Sequence, residues 1–264
     1  MKHSPLPGLL ALFLAVPLAA DEPIAAEEPL APDETILDAW SVTVKGGPSF
    51  PVVGQFTGSA AELPSTATDD DGGSVATGDT ANLAGLDWSE AFGDFLTVAV
   101  ELDFWESPTR SLYFGVSHTR ASGESAFLGS FDNRPVSASF SDYSDTGLYA
   151  GVRWGIGHTD WIKSLVSLQL GASLVDDLDA TVTNLPDFDR IALYKESTVF
   201  SGGVFVSVII TPLDFLEVGI DGGFIYQTAP KENSTQTGLL DLQGLNSEGD
   251  LGMVPVRLMA TIKF

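Results

Sequence analysis

Charged side chains recur at alternate positions inside otherwise apolar or small-residue segments of this 264-residue sequence. Lys45, Glu101, Asp103, Arg153, Glu217, Asp221 and Arg257 hold such positions, with Lys163 and Lys263 as further basic members. Brought together out of water, opposite charges of this kind must pair, because an isolated buried ion is far too costly. Lining an open pore, the same residues would instead tune ion selectivity.

Other candidate sites are thinner. Asp69-Asp70-Asp71-Gly72-Gly73 has the composition of a calcium loop, but an EF-hand needs ligands at alternate positions and a Glu six residues after the Gly. Ala67 and Gly78 stand at two of those positions, so Asp69, Asp70 and Asp71 are expected to form a solvated acidic loop with weak cation binding at most. No metal centre and no cofactor is predicted. The chain has no cysteine, which excludes disulfides, thiolate metal sites, a cysteine nucleophile and a lipidated N-terminal cysteine. With 12 basic against 36 acidic residues it also lacks the basic surface that nucleic-acid phosphates require. Of the three histidines, His3 lies in the N-terminal segment, His158 in a short turn, and His118 near the end of a strand in Val-Ser-His-Thr-Arg.

The elements that position these residues follow from the chain's rhythm. Residues 1–20 read as an export signal: Lys2 and His3, an apolar run from Leu6 to Leu18, then Ala19 and Ala20. That run is too short and too interrupted by proline to span a membrane as a helix. Residues 21–38, with Pro23, Pro29 and Pro32 among acidic residues, have a linker's composition. From Ala39 to Phe264 the sequence alternates with period two in eight segments: 39–50, 94–105, 110–119, 145–157, 162–174, 197–210, 214–227 and 251–264. Many exceed the ~5–6 residues of an ordinary strand and reach the ~9–11 that a tilted membrane-spanning strand needs. Short connections (106–109, 158–161, 211–213) alternate with long ones (51–93, 120–144, 175–196, 228–250), with both termini on the short-turn side. The first long connection is expected to carry a short helix near Trp88 to Phe92 or a hairpin, and a further strand pair there would make ten strands instead of eight.

Alternation alone does not say which face is inside. The apolar faces carry charge only at segment boundaries such as Asp94, Arg110 and Asp214, whereas a water-facing surface would carry many Lys and Glu. Trp40, Trp105, Trp154, Trp161, Phe215 and Phe264 cluster at the short-turn ends, as an interfacial girdle would. In the last segment Val254, Val256, Leu258, Ala260, Ile262 and Phe264 share one face up to the final residue. Closure of a barrel against the first strand accounts for such an ending, because an open edge is not tolerated in lipid. Pro255 departs from an ideal ladder, which a closing strand near its outer end can tolerate at a bulge. More than half of the acidic residues fall in the four long connections, giving that end a strongly negative surface.

In its signal segment, eight strands, four long loops and terminal Phe264, the chain resembles the OmpA/OmpX-type small outer-membrane barrels over residues 39–264. The resemblance implies an all-β, antiparallel, up-and-down transmembrane barrel in the bacterial outer membrane, with both termini periplasmic. It also implies contact with outer-membrane lipid, and recognition of Leu258, Ala260, Ile262 and Phe264 by the barrel assembly machinery. Some eight-stranded barrels are lipid A deacylases with a His-x-Ser-Asn motif, but Thr119-Arg120 follow His118, so no enzyme is expected. Eight strands enclose a space that side chains can fill. The expected function is therefore a monomeric structural or surface-interaction barrel, its interior plugged by charged side chains and its acidic loops meeting divalent cations or surface polysaccharide. A narrow channel for ions or small solutes is the alternative.

Overall fold

The computed structural model describes residues 39–61, 66–68, 74–76, 81–107, 109–131, 134–159, 161–184, 190–233 and 249–264. The expected signal segment, the linker and Asp69, Asp70 and Asp71 lie outside the described residues.

Eight long strands pair antiparallel in sequence order and close on themselves. They are β1 (Ala39–Val53), β2 (Phe95–Ser107), β3 (Arg110–Ala121), β4 (Tyr143–His158), β5 (Ile162–Val175), β6 (Ser197–Leu213), β7 (Leu216–Gln227) and β8 (Leu251–Lys263). Closure is made by β1 against β8, from Ser41 opposite Lys263 to Val53 opposite Gly252. Each short hairpin carries a register shift in its last pairs, at Trp105/Ser107, Gly155/Gly157 and Ile210/Leu213. Pro255 sits in β8 opposite Ser49 of β1, and the β1–β8 register shifts close by, between Pro51 and Val53. The β7–β8 register is the same on either side of it, with Gly222 opposite Val256 and Ile225 opposite Met253, and the ladder skips the pairs between.

Alternation puts the polarity inside out. Leu170, Leu258, Leu148 and Phe200 are 66–75% exposed on the outer face, while Glu101, Asp221 and Arg153 are 1–2% exposed within. Packing in the lumen also explains two glycines. A Cβ at Gly115 would collide with the Tyr149 ring, and one at Gly151 with the Tyr113 ring.

The four long connections were expected as acidic loops, and the structure shows that they build a second sheet. Its strand order is Lys231–Glu232, Arg190–Lys195, Leu178–Thr183, Arg134–Phe140, Ser125–Phe131, Ala81–Leu83 and Ala60–Ala61. One face buries Val136, Ala138, Phe140, Leu178, Ala180, Val182, Ile191 and Leu193. The other presents hydroxyls in cross-strand register, Ser125 opposite Ser139 and Ser139 opposite Thr181, beside the 62% exposed ring of Phe127. Beneath the buried face lies α1 (Trp88–Ala91), the short helix the first connection was expected to carry. Its first turn is held by Glu90, whose Oε2 accepts from the Asp87 amide at 3.0 Å.

Candidate functional site

The lumen is filled in layers. At the short-turn end Glu217 Oε1 accepts from Lys163 Nζ at 2.7 Å and Lys263 Nζ at 2.5 Å. Trp105 lies in this layer against Leu165, Ile209 and Met259, with its Nε1 donating to Ser41 Oγ at 3.4 Å. Trp105 therefore does not belong to the outer girdle. Glu101, Asp103 and Trp105 are two apart on one strand, so the ring follows the carboxylates inward.

The next layer gathers six of the charges singled out in the sequence. Lys45 Nζ lies 3.0 Å from both Glu101 and Asp221. Arg153 pairs with Glu101 and Asp103. Arg257 grips Asp221 through Nε at 2.8 Å and a terminal nitrogen at 2.9 Å, the two-point geometry that suits guanidinium to carboxylate. Three cations thus meet three anions. Further hydrogen bonds satisfy the carboxylates: Tyr149 OH donates to Glu101 at 3.0 Å and Thr43 Oγ1 to Asp103 at 2.9 Å. Arg153 stands 4.0 Å from the Tyr113 ring centroid and Arg257 4.6 Å from that of Phe205. Glu217 belongs to the lower layer, separate from these six.

Above the ions lies a polar cavity of about 40 Å³ lined by residues including Ser49, Thr97, Thr119, Asp145, Gln169 and Gln227. Roughly two or three waters fit such a space. Ser49, Thr97 and Thr119 hydroxyls form a chain at 3.2 Å steps across it, and Asp145 accepts from Tyr143 OH at 2.7 Å.

Aromatic rings close the upper end. Phe56 sits within 4.8–5.6 Å, centroid to centroid, of Trp88, Phe92, Phe140 and Tyr194. Trp88 and Phe95 meet Tyr143 from the barrel strands at 5.7 and 5.2 Å. Two polar clasps tie this cluster down: Trp88 Nε1 donates to the Asp250 carbonyl at 2.9 Å, and Tyr194 OH to the Phe56 carbonyl at 2.5 Å.

Outside, Trp40, Trp154, Trp161, Phe215 and Phe264 are all exposed, and Trp40 packs edge-on to Phe104 at 4.9 Å. The ladder continues to the last residue, with the Phe264 amide donating to the Trp40 carbonyl at 3.0 Å. Leu258, Ala260 and Ile262 share the outer face of β8. His118 also faces outward, its Nδ1 3.0 Å from Thr146 Oγ1. Several loop carboxylates are engaged in fixing their own surroundings: Asp142 accepts from the Gly123 amide, Asp177 from the Glu196 amide, Asp250 from Tyr226 and Ala229, and Asp179 pairs with Arg190. Tyr113, Tyr143, Tyr149 and Asp145 are not among the residues expected from the sequence to fill the interior. The signal was present, because Tyr143, Asp145, Tyr149 and Arg153 keep the same parity along β4.

The architecture found is the one expected from the sequence, that of the OmpA/OmpX-type small barrels: a closed antiparallel meander of eight strands, apolar outside and charged within. No family model and no curated protein matches the chain. Among solved structures it is similar to Neisserial surface protein A, at 11% identity over 86% of this chain and 99% of that one, with a TM-score of 0.42. It is similar also to Ail, the attachment invasion locus protein of Yersinia pestis, at 10% identity over 86% and 99%, with a TM-score of 0.39. A Pseudomonas aeruginosa FadL homologue aligns at 11% identity over 85% and 90%, with a TM-score of 0.20. These likenesses are ones of outline, and the architecture rests on the chain's own strand pairing.

Proposed function

We propose that the chain is a bacterial outer-membrane protein whose barrel is a closed, non-conducting anchor for an outward-facing loop sheet that meets surface partners. The observation that carries this reading is the reversal of polarity: a balanced set of ion pairs under an aromatic cap fills the lumen, while the outer face is aliphatic and aromatic. A continuous apolar belt of this size is untenable in water, at about 1.5–3 kcal/mol for each large side chain left uncovered. In lipid it is the stable arrangement, and the exposed aromatics at the short-turn end sit where a girdle would. Long connections outward and both termini periplasmic follow from the usual asymmetry of such barrels. The hydroxyl rows and Phe127 on the loop sheet suit contact with surface polysaccharide. The loop carboxylates that already hold backbone amides leave fewer free to bridge through divalent cations.

Planar-bilayer recording tests the anchor reading. The reconstituted protein is expected to give no stable single-channel steps, and heat-modifiable gel migration reports that the barrel is folded. Stable steps from the unaltered protein, changed in size by Arg153→Ala, would replace the anchor with a narrow channel. Assembly gives a second measurement. Deleting Phe264 removes the last outward ring and the final amide bond to Trp40. It is expected to abolish most of the heat-modifiable protein recovered from membranes, whereas Phe127→Ala on the loop sheet leaves recovery unchanged.

A further inference from the structure

The outward face of the barrel breaks its apolar character at one place near the long connections. Among the described residues, outward positions on the eight strands carry formal charge at Glu106, Arg110 and Arg120. Glu106 and Arg110 pair with each other at 3.3 Å beside a short turn. Arg120, near the outer end of β3, is exposed and joins no described carboxylate in an ion pair.

Its surroundings form a small polar patch. Arg120 stands opposite Ser144 on β4, and His118, two residues below, stands opposite Thr146. The 3.0 Å contact between His118 Nδ1 and Thr146 Oγ1 orients the ring and leaves Nε2 on its far side. On the other flank Arg120 and His118 register with Leu96 and Val98, which are 57% and 50% exposed. Below come Phe114 and Leu148, both outward and at least 60% exposed. A cation, a hydroxyl pair and an imidazole therefore stand directly above bare aliphatic and aromatic surface. The chain as a whole repels anions, at a formal net charge of −24.

We propose that Arg120, with Ser144 and with His118 oriented by Thr146, binds the phosphate of a membrane lipid headgroup while the lipid's chains lie on Phe114, Val116 and Leu148. This rests on the outer-membrane reading. Guanidinium binds phosphate through two parallel N–H donors, and a long side chain at the edge of an apolar belt reaches the headgroup layer with its stem in hydrocarbon. Hydroxyl and imidazole donors at the same spot complete the oxygen shell of a phosphate.

The test is native mass spectrometry of the full protein released from phosphatidylcholine nanodiscs doped with lipid A, phosphorylated or dephosphorylated. The protein is expected to retain phosphorylated lipid A and to lose the dephosphorylated form. Arg120→Gln is expected to weaken retention about tenfold, the effect of one charge-assisted hydrogen bond, and Arg120→Lys to weaken it less. Arg134→Gln, on the loop sheet, leaves retention unchanged. Equal retention of both lipids, or full retention by Arg120→Gln, overturns the inference. So does displacement of the lipid by millimolar inorganic phosphate, which would make the patch a site for free anions. Failure of the protein to enter the nanodisc overturns the membrane reading and this inference together, whereas entry without retention overturns this inference alone.

Discussion

Asp221→Asn is expected to destabilise the folded barrel by about 3–5 kcal/mol, the usual cost of leaving a buried charge without its partner. Asp221 holds Arg257 through two nitrogens and Lys45 through a third contact. With an amide in its place Lys45 keeps Glu101, but Arg257, 4% exposed, loses its two-point carboxylate partner and is left with a neutral amide oxygen, the Phe205 ring and the less direct charge of Glu101. Arg257→Met should cost less, because Asp221 would still hold Lys45. Asp221→Leu combined with Arg257→Met should recover much of the loss, since a buried pair replaced by apolar side chains of similar volume is often neutral or better. Urea unfolding of the reconstituted barrel, followed by heat-modifiable migration, gives the order of the three variants. An Asp221→Asn barrel within about 1 kcal/mol of the parent would show that its guanidinium is solvated, as exposed ion pairs are worth no more than this.

Trp88→Ala is expected to release the loop sheet while the barrel stays closed. The indole is 1% exposed and touches four rings, Phe56, Phe92, Phe95 and Tyr143. Its deletion would remove about 3–5 kcal/mol from the packing of the cap, on the scale of large-to-alanine changes in cores. Amides of Arg134–Phe140 and Leu178–Thr183 should then exchange hydrogen far faster, while those of β5 and β6, at the barrel's long pairing, keep their protection. Trp88→Phe retains a ring but loses the Nε1 bond to the Asp250 carbonyl, so its effect should be smaller. Unchanged exchange in the loop strands of Trp88→Ala would mean that the sheet stands without the aromatic cluster beneath it.

The barrel was legible because its strands are long. In β2 and β5, six or more alternations fix both the period and the parity, so the inward set Thr97, Ala99, Glu101, Asp103 follows directly. Parity was also enough to place Trp105 inward beside Asp103, but position at a strand end suggested the girdle instead. Which charge meets which was not legible. Lys45, Glu101 and Asp221 come from three strands, and their meeting depends on the stagger with which the sheet closes. The loop sheet was hidden for a different reason. Val136, Ala138 and Phe140 or Leu178, Ala180 and Val182 alternate for only three steps, use small residues, and find their partners in other loops. Such runs acquire meaning only once the barrel has brought the connections together. In the sequence Arg120 stands out only as a departure from an enzyme motif. Its meaning as an outward cation came from the register of β3.

The seam between β1 and β8 has a consequence for how the chain reaches this state. Ser41 pairs with Lys263 and Val44 with Ala260, so the first strand waits for almost the whole described sequence before its second edge is covered. High contact order of this kind slows folding, because loop closure must precede the contacts that reward it. Until that moment two unpaired edges and an apolar belt coexist in one molecule, the combination most prone to aggregate in water. A partly emerged chain has no halfway sheet to rest in. On the outer-membrane reading proposed above, closing the seam and covering the apolar belt should therefore occur as one event.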